Sequence, residues 1–469
     1  MTKLMTLALL GAIMPVVAQD AAKTPSFAQE IHQKNIAPIQ TDAVTPRPAG
    51  SIYMGDFRAP KIEKVRVCVI GLGERGTPQT IQLAHVPNCE VVGVCDLYDD
   101  AAQKVANRMQ ELTGKRPATY SQDKDAYKKM LAELKPDAVI INTNWDTHAQ
   151  MAIEAMESGA HAFVEVPLAT TIEDLWRVVD ASERTQKHCM MMENCNYGRE
   201  ELMFLNMVRQ GLIGDLLHGE ASYIHELRSQ MFDVDRGCGS WRTYHYAERN
   251  ANLYPTHGLG PVAQYMNIAR TDDTFDRIVS FGSPALGRAK FAKENLPADH
   301  KWNQTEFKCA DMSNSIIKTK AGRTILVQWD ETSPRPYDRR NLIQGTHGTL
   351  AGFPTRAAGC GINDGSAWLA SEAEVAELRL KYEHPLWKRL GAEALRHDPR
   401  GGMNYLLFAR IIECLHHGLP LDQNVYEGAL WSAVAPLTEK SVSEGGAPQL
   451  FPDFTRGAWS TTAPLGIVE

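Results

Sequence analysis

The sequence predicts an α/β fold in two parts: a parallel sheet covered by helices, then an α+β domain with a large, mostly antiparallel open sheet. From Lys64 onward, apolar strand-like runs such as VRVCVIG (65–71) and CEVVGVCD (89–96) alternate with helix-compatible stretches. Such runs are typical of parallel strands buried on both faces. After Asn194 the pattern changes to longer strands separated by turn sequences, and 469 residues are enough for more than one domain.

The first 18 residues are predicted to be a secretory signal peptide, because Lys3 precedes a short apolar stretch from Leu4 to Ala18. A membrane anchor is the less favoured alternative, since the stretch is short for a span and contains Gly11 and Pro15. Residues 19–60 are rich in proline and predict an extended arm. We therefore expect an exported protein, periplasmic or secreted, with no membrane span in its mature form.

Residues 61–193 form the first predicted domain and residues 194–469 the second. The strands of the first domain are expected at 65–71, 89–96, 137–143 and 161–167, with helices near 77–84, 99–112 and 125–134. In the second domain we expect a helix ended by Gly214, strands within 216–227, 275–283, 314–332 and 341–353, and a late amphipathic helix at 403–418.

A glycine-rich turn follows the first strand. Gly71, Gly73 and Gly76 form GLGERG at the start of a helix, and Asp96 closes the second strand twenty positions beyond Gly76. Glycines let the backbone approach a pyrophosphate, and a carboxylate at that distance accepts hydrogen bonds from the adenosine ribose. The alternative for Asp96 is a solvated strand-end carboxylate. The pattern predicts an N-terminal Rossmann dinucleotide-binding domain that prefers NAD, because Asp96 would repel a 2′-phosphate.

Composition excludes other classes of function. A net charge of −7 gives no basic footprint for nucleic acid. The nine cysteines form no CxxC pair, so buried free thiols are expected rather than a zinc site or disulfide framework, and no metal site is predicted. They are Cys68, Cys89, Cys95, Cys189, Cys195, Cys238, Cys309, Cys360 and Cys414.

The glycine turn, the string NTNWDTH (142–148) and Glu165-Val166-Pro167 together resemble the glucose-fructose oxidoreductase/inositol dehydrogenase superfamily. In dehydrogenases of that superfamily the last motif is Glu-Lys-Pro, and its lysine acts on the alcohol that is oxidised. Valine cannot transfer a proton. An ordinary dehydrogenase would therefore lack its principal acid/base group here.

Three strings of the second domain resemble glycoside hydrolase family 109, the NAD-dependent α-N-acetylgalactosaminidases. A valine in place of the lysine of the Glu-Lys-Pro motif also fits that family. They are ENCNYGREELMFLNMVRQGLIGDLLHGEASYIHELR, WRTYHYAERNANLYPTHGLGPVAQYMNIAR and SFGSPALGR, and the resemblance extends from about residue 55 onward. It implies cofactor contacts, beyond the glycines, at Glu74, Arg75, Asp96, Trp145, Asp146, Thr147, His148, Glu165, Val166 and Asn194. It implies substrate contacts at Tyr223, Arg242, Tyr254, Pro255, Thr256, His257 and Tyr337.

The resemblance also implies a mechanism without the usual two carboxylates. A tightly held NAD would take a hydride from C3 of the sugar, C2 would lose a proton, the aglycone would leave, water would add, and the hydride would return. His257 is the expected base at C3, because an imidazole titrates near neutrality. Tyr254 and Tyr223 are the candidates at C2, and the choice between them stays open.

Simpler interpretations exist for these residues. His257 lies in YPTHGLGP, which we expect to be a Pro- and Gly-rich loop, and could be a turn or interface residue. Tyr223 could face the core, Tyr337 could anchor a loop, and Arg242 could stack on Trp241.

Two rival functions also remain open, a sugar dehydrogenase that releases an oxidised product and a non-catalytic sugar-binding protein that retains NAD. The expected partner is a glycan with terminal N-acetylgalactosamine, and the open second sheet suggests a homodimer.

Overall fold

The computed structural model describes residues 46–271, 273–359, 362–363 and 367–467. The predicted signal peptide and most of the predicted arm lie outside these ranges. Among the described helices, none combines the length and apolar character needed to cross a membrane.

The first sheet contains six parallel strands in the order β3-β2-β1-β4-β5-β6. Its elements are β1 (Val65–Ile70), α1 (Gly76–Leu83), β2 (Cys89–Cys95), α2 (Asp99–Thr113), β3 (Ala118–Tyr120), α3 (Ala126–Leu134), β4 (Ala138–Ile141), α4 (Trp145–Glu157), β5 (His161–Val164), α5 (Ile172–Thr185) and β6 (Cys189–Met191). Successive strands are added to one side of β1 as far as β3 and to its other side from β4 onward. A doubly wound sheet binds its ligand at this point between β1 and β4, where the strand order reverses. The predicted α/β class is confirmed, although the short strands β3 and β6 were not predicted.

Local sequence explains these helices. Helix α2 buries Ala102, Val105, Ala106 and Met109, which share one helical face, and it ends at Gly114 in the left-handed conformation. Helix α5 begins where the side chain of Thr171 accepts a hydrogen bond from a backbone N–H of its first turn. Strands β4 and β5 are buried throughout, because helices cover both faces of the sheet.

The second sheet has eight strands in the order β13-β12-β11-β7-β10-β9-β8-β14. Its region contains α6 (Arg199–Arg209), β7 (Leu216–Ile224), α7 (Gly239–Glu248), α8 (Thr256–Tyr265), β8 (Phe275–Gly282), α9 (Gly287–Asn295), β9 (Ser313–Thr319), β10 (Thr324–Asp330), β11 (Leu342–Gly345), β12 (Gly348–Ala351), β13 (Arg356–Gly359), α10 (Glu372–Tyr382), α11 (Pro385–His397), α12 (Met403–His417), α13 (Val425–Ser432), α14 (Val434–Ser443) and β14 (Gln449–Leu450). Short 3-10 helices lie at Asn194–Tyr197, Arg228–Phe232, Lys301–Asn303 and Ala458–Thr461. All neighbours pair antiparallel except β7 and β10, which confirms the mostly antiparallel prediction.

Several boundaries differ from the prediction. The helix expected to end at Gly214 ends at Arg209 and is followed by turns. The stretch 314–332 is a hairpin of two strands, and 341–353 likewise holds β11 and β12.

The largest difference lies in YPTHGLGP, which we expected to be a loop and which begins helix α8. Pro255 at its N-cap has φ −76°, a value suited to a helix start. A Cβ on Gly258 would lie 2.4 Å from the backbone nitrogen of Ser222, so glycine here permits close packing of α8 on β7. Tertiary packing thus outweighs the low helix propensity of glycine.

The late helices return to the first sheet. On α12, the Tyr405 hydroxyl donates to the carbonyl of His85 at 3.1 Å, and His416 Nδ1 lies 3.0 Å from the carbonyl of Ile62. On α13, Ser432 Oγ accepts a hydrogen bond from the backbone N–H of Leu168 at 3.0 Å. Chain order and spatial neighbourhood therefore differ in this part of the molecule.

Candidate functional site

A cavity of about 1060 Å³ opens at the carboxyl ends of β1 and β4 and extends to the second sheet. Most of the predicted site residues line it, namely Gly71, Gly73, Glu74, Arg75, Asp96, Trp145, Thr147, His148, Glu165, Val166, Asn194, Tyr223, Arg242, Tyr254, His257 and Tyr337. Gly76, Asp146, Pro255 and Thr256 do not line it. The dinucleotide turn and the proposed sugar-handling side chains thus share one space.

The glycine turn has the shape that a pyrophosphate requires. Gly71 has φ +87°, and a Cβ there would lie 2.6 Å from the carbonyl oxygen of Asn142. A Cβ on Gly76 would lie 1.8 Å from the carbonyl oxygen of Gly71, so this glycine serves the packing of the turn itself. Around Gly73 no atom lies within 4 Å of such a Cβ, which leaves room for a ligand beside the backbone.

Polar groups beside the turn also fit NAD. Asp96 accepts hydrogen bonds from the backbone N–H groups of Leu72 (2.6 Å) and Tyr98 (2.9 Å), which fixes its carboxylate and leaves further lone pairs for ribose hydroxyls. Both polar atoms of the Asn142 side chain are buried and have no partner among the described residues. Such groups normally find partners, so Asn142 indicates a polar ligand in this cavity.

Glu165 holds a protein network. Its Oε1 accepts from Arg75 Nη2 at 2.9 Å and from Gln79 Nε2. Burial raises the pKa of Glu165, but the charge of Arg75 and these hydrogen bonds outweigh it and lower the pKa. Arg75 and Asn194 also both donate to Oδ1 of Asn404, at 3.3 and 3.0 Å. Asn404 on α12, which we did not predict, therefore joins two predicted cofactor contacts.

The residues that begin α4 have different positions. The Asp146 carboxylate does not line the cavity and lies 3.4 Å from His245 Nε2. His148 is buried, with Nδ1 2.7 Å from the Pro167 carbonyl and Nε2 3.1 Å from the Thr143 carbonyl. It bridges the loops that follow β4 and β5, whereas Trp145 faces the aromatic side chains of the cavity.

His257 lies in the first turn of α8, and its Nδ1 is 2.7 Å from Oε1 of the buried Glu193. Burial by itself lowers the pKa of His257, but the adjacent Cys195 and Glu193 raise it to about 10. The pKa of Glu193 is lowered in turn, because the facing imidazole outweighs the effect of burial. When no charged ligand occupies the cavity, His257 is therefore an imidazolium paired with the Glu193 carboxylate.

Cys195 is the third member of this cluster. Its Sγ accepts a hydrogen bond from Arg339 Nη1 at 3.1 Å, and Arg339 is also paired with the buried Glu201. Possible ligand atoms of Glu193, Cys195 and His257 lie within 4.8 Å of one another. The guanidinium beside the sulfur opposes a cation at this place. The eight cysteines within the described residues are free, and Cys360 lies outside them.

Two tyrosines and a second histidine lie next to His257 in the cavity lining. The Tyr223 hydroxyl is 2.8 Å from His225 Nδ1, and the Tyr223 ring centroid is 4.9 Å from those of Tyr254 and His257. Burial raises the pKa of both tyrosines well above the ordinary value, and Arg242 opposes that rise in both. Burial lowers the pKa of His225, so its imidazole is neutral and its Nδ1 can accept a hydrogen bond from the Tyr223 hydroxyl.

Arg242 and Tyr337 are placed to contact a substrate, as the resemblance implies, and both also pack on aromatic side chains. The Arg242 guanidinium carbon lies 5.0 Å from the ring centroid of Trp145, 5.2 Å from that of Trp241 and 5.4 Å from that of Tyr254. Its buried Nε has no partner among the described residues. Tyr337 is 42% exposed at the cavity rim, and its ring centroid is 6.1 Å from that of Tyr223. Both residues are therefore packed on aromatic neighbours and open to a ligand.

Sequence reasoning missed several members of the site: Glu193, Cys195, His225, Arg339 and Asn404. His225 was within reach, because it lies two positions after Tyr223 on the same strand and so on the same face. Glu193 and Cys195 directly flank the predicted Asn194, although nothing in the sequence pairs them with His257.

Comparison with known proteins agrees with this arrangement. Residues 65–193 match the family described as oxidoreductase family, NAD-binding Rossmann fold, and residues 197–461 match glycosyl hydrolase 109, C-terminal domain. Two solved structures share the fold at low identity. They are an NAD binding oxidoreductase from Klebsiella pneumoniae (TM-score 0.62, 15% identity, 83% of this chain, 99% of that one) and levoglucosan dehydrogenase in complex with NADH and L-sorbose (TM-score 0.61, 16% identity, 84% and 100%).

Curated relatives are far closer in sequence. Glycosyl hydrolase family 109 protein 1 of Akkermansia muciniphila is 61% identical over 437 residues, which cover 93% of this chain and 90% of that protein. The alpha-N-acetylgalactosaminidase of Shewanella oneidensis is 51% identical and covers 91% and 93%. The cavity fits NAD, and the match extends over both sheets. The chain therefore belongs to glycosyl hydrolase family 109, as an NAD-dependent glycoside hydrolase.

Proposed function

We propose that the protein hydrolyses terminal α-N-acetylgalactosaminides by transient oxidation of the sugar. The observation that carries this proposal is the single cavity that holds both the glycine turn with Asp96 and the side chains His257, Tyr223 and Tyr254. The printed name of the Shewanella oneidensis relative supports the choice of sugar. Val166 replaces the lysine of ordinary dehydrogenases, so other side chains must move the protons.

When bound, NAD supplies a reversible hydride acceptor for C3 of the sugar and a positively charged ring beside it. A positive charge beside His257 would lower its raised pKa, because like charges disfavour the imidazolium. His257 then takes the proton of the C3 hydroxyl as the C3 hydride leaves, and Glu193 holds the ring in place through Nδ1.

Tyr223 removes the C2 proton, which the neighbouring ketone has made acidic. It passes its own phenol proton to His225 and takes the C2 proton as the C1–oxygen bond to the aglycone breaks, and the imidazolium of His225 gives its proton to the departing aglycone oxygen. Water then adds at C1 and gives its proton to His225, Tyr223 returns a proton to C2 and regains one from His225, and His257 returns a proton to O3 as C3 is reduced again. Tyr254, whose ring packs against those of both Tyr223 and His257, orients the sugar. The structure thus favours Tyr223, because only this tyrosine of the two has a histidine hydrogen-bonded to its hydroxyl among the described residues.

Heavy water tests this mechanism. Purified protein without added nucleotide is incubated with a chromogenic α-N-acetylgalactosaminide in heavy water, and C2 of the released sugar is analysed. Aglycone release with deuterium at C2 supports the proposal, and release without exchange contradicts it. Net NADH formation with a free sugar would instead indicate a dehydrogenase, and binding without turnover would indicate a sugar-binding protein.

Export and pairing of two chains are further parts of the proposal. An export signal at residues 1–18 predicts a mature N-terminus near Ala18 or Gln19, which N-terminal sequencing of the secreted or periplasmic protein measures. Phe281 and Ile316 are exposed on neighbouring strands of the second sheet and share one face. Such a face favours a homodimer, which light scattering in solution tests.

A further inference from the structure

The cavity continues past the proposed catalytic side chains to an aromatic rim. Ring contacts lead outward from His257 to Tyr223 (4.9 Å between centroids), from Tyr223 to Tyr337 (6.1 Å), and from Tyr337 to Phe353 (5.8 Å). Tyr337 is 42% exposed and Phe353 36% exposed, whereas Tyr223 is 6% exposed. The cavity therefore leads from a buried reacting region to an open mouth.

Phe353 is held in a fixed place at this mouth. It lies in the turn between β12 and β13 with φ +52°, in the left-handed region that bulky side chains rarely adopt. The Arg339 guanidinium lies over its ring, 4.9 Å from the centroid, and Arg339 is anchored by Glu201 and by Cys195 Sγ. The exposed ring surface thus faces the cavity mouth on a supported base.

We propose that Phe353 forms an aglycone subsite that stacks on the second sugar of a glycan substrate. A pyranose presents a C–H face that packs on the negatively charged face of an aromatic ring. Cleavage of a terminal sugar places that sugar beside His257 and directs the rest of the glycan to the mouth. This inference rests on the proposed glycosidase function and specifies its substrate as an oligosaccharide.

The experiment compares two substrates in one set of variants. Methyl α-N-acetylgalactosaminide has no second ring, whereas a disaccharide in which N-acetylgalactosamine is α-linked to galactose has one. Phe353→Ala should lower kcat/KM for the disaccharide by about threefold to tenfold through KM and leave the value for the methyl glycoside unchanged. Phe353→Tyr should keep the wild-type ratio. Trp368→Ala is the matched control, because Trp368 is also exposed (42%) but does not line the cavity.

Each other outcome overturns the inference. Equal loss on both substrates indicates a structural role, and equal activity on both indicates no contact. A change in oligomeric state without a change in the substrate ratio indicates that Phe353 belongs to an interface between copies. Calorimetry in the His257→Ala background measures affinity for the two ligands without turnover. It tests the subsite even if the wild type cleaves neither substrate, which would contradict the proposed function alone.

Discussion

Glu193 and His257 are separated by 64 positions in the chain, yet Oε1 and Nδ1 lie 2.7 Å apart in a buried ion pair. Glu193 lies two positions after β6, and His257 lies in the first turn of α8, which packs on β7 of the second sheet. The two regions therefore meet at a charged contact just behind the cavity wall, which His257 lines. Its strength depends on both side chains keeping their charges.

Glu193→Gln should destabilise the protein by about 3 to 5 kcal/mol at pH 6, because it removes one partner of a buried pair. In protein from which NAD has been removed, the pKa of His257 is raised to about 10, so the contribution of the pair to stability is fully present below about pH 6.5 and is lost as the pH rises through 10. Urea unfolding at pH 6 and above pH 10 should show the larger difference from wild type at pH 6. Glu157→Gln, which removes a half-exposed surface partner of Arg184, is the control. An equal difference at both pH values would contradict the raised pKa.

His257→Ala should lower kcat by about 10²- to 10⁴-fold, the usual contribution of a general base. NAD should stay bound, since His257 is not one of the residues expected to contact the cofactor. Hydrolysis rates and the NAD content of the purified variant measure the two effects. His218→Ala, on β7 and outside the cavity lining, should keep full activity. Full activity in His257→Ala would remove this residue from the mechanism.

Tyr223→Phe should separate the two proton transfers. C3 oxidation can still occur, but removal of the C2 proton is slowed by about 10²- to 10⁴-fold. Nicotinamide absorbance should therefore rise when substrate is added, with little release of aglycone. His225→Gln should show the same behaviour more weakly. If Tyr254→Phe accumulates NADH and Tyr223→Phe does not, the assignment of the C2 base is reversed.

Cys195→Ser should shift the pH profile. Cys195 contributes to the raised pKa of His257, so its replacement lowers that pKa and moves the acid limb of kcat/KM to lower pH. The basic side of the profile is the internal control. An unchanged acid limb would show that the sulfur does not influence His257. Cys414→Ser, in a buried helix position away from the cavity, should leave the profile as it is.

Asp96→Ala should weaken NAD retention. The carboxylate is the proposed acceptor for ribose hydroxyls, and a lost charge-assisted hydrogen bond costs about 1.5 to 3 kcal/mol. Gel filtration followed by chromatography of the released nucleotide measures the loss. Asp125→Ala, an exposed carboxylate paired with Lys128, should retain as much NAD as the wild type. Equal retention in both variants would mean that Asp96 does not hold the ribose.

Local signals made the fold and the nucleotide end of the cavity predictable. Gly71 and Asp96 follow strands whose apolar runs are visible in the sequence, and the first sheet places their ends together. Asn404 was not predictable in the same way, because it meets Arg75 across 329 positions of chain. The helix beginning at Thr256 was missed because its glycines are explained only by the close approach of β7.

Helix α12 has a consequence for engineering. Although it comes late in the chain, Asn404 meets the glycine turn and Tyr405 meets the end of α1. In a chimaera of two relatives joined at residue 193, helix α12 would come from one parent and the glycine turn that it contacts from the other. A chimaera that takes residues 403–417 from the same parent as residues 61–193 preserves these contacts. Two separate stretches of the gene must therefore be exchanged together if the chimaera is to retain the cofactor.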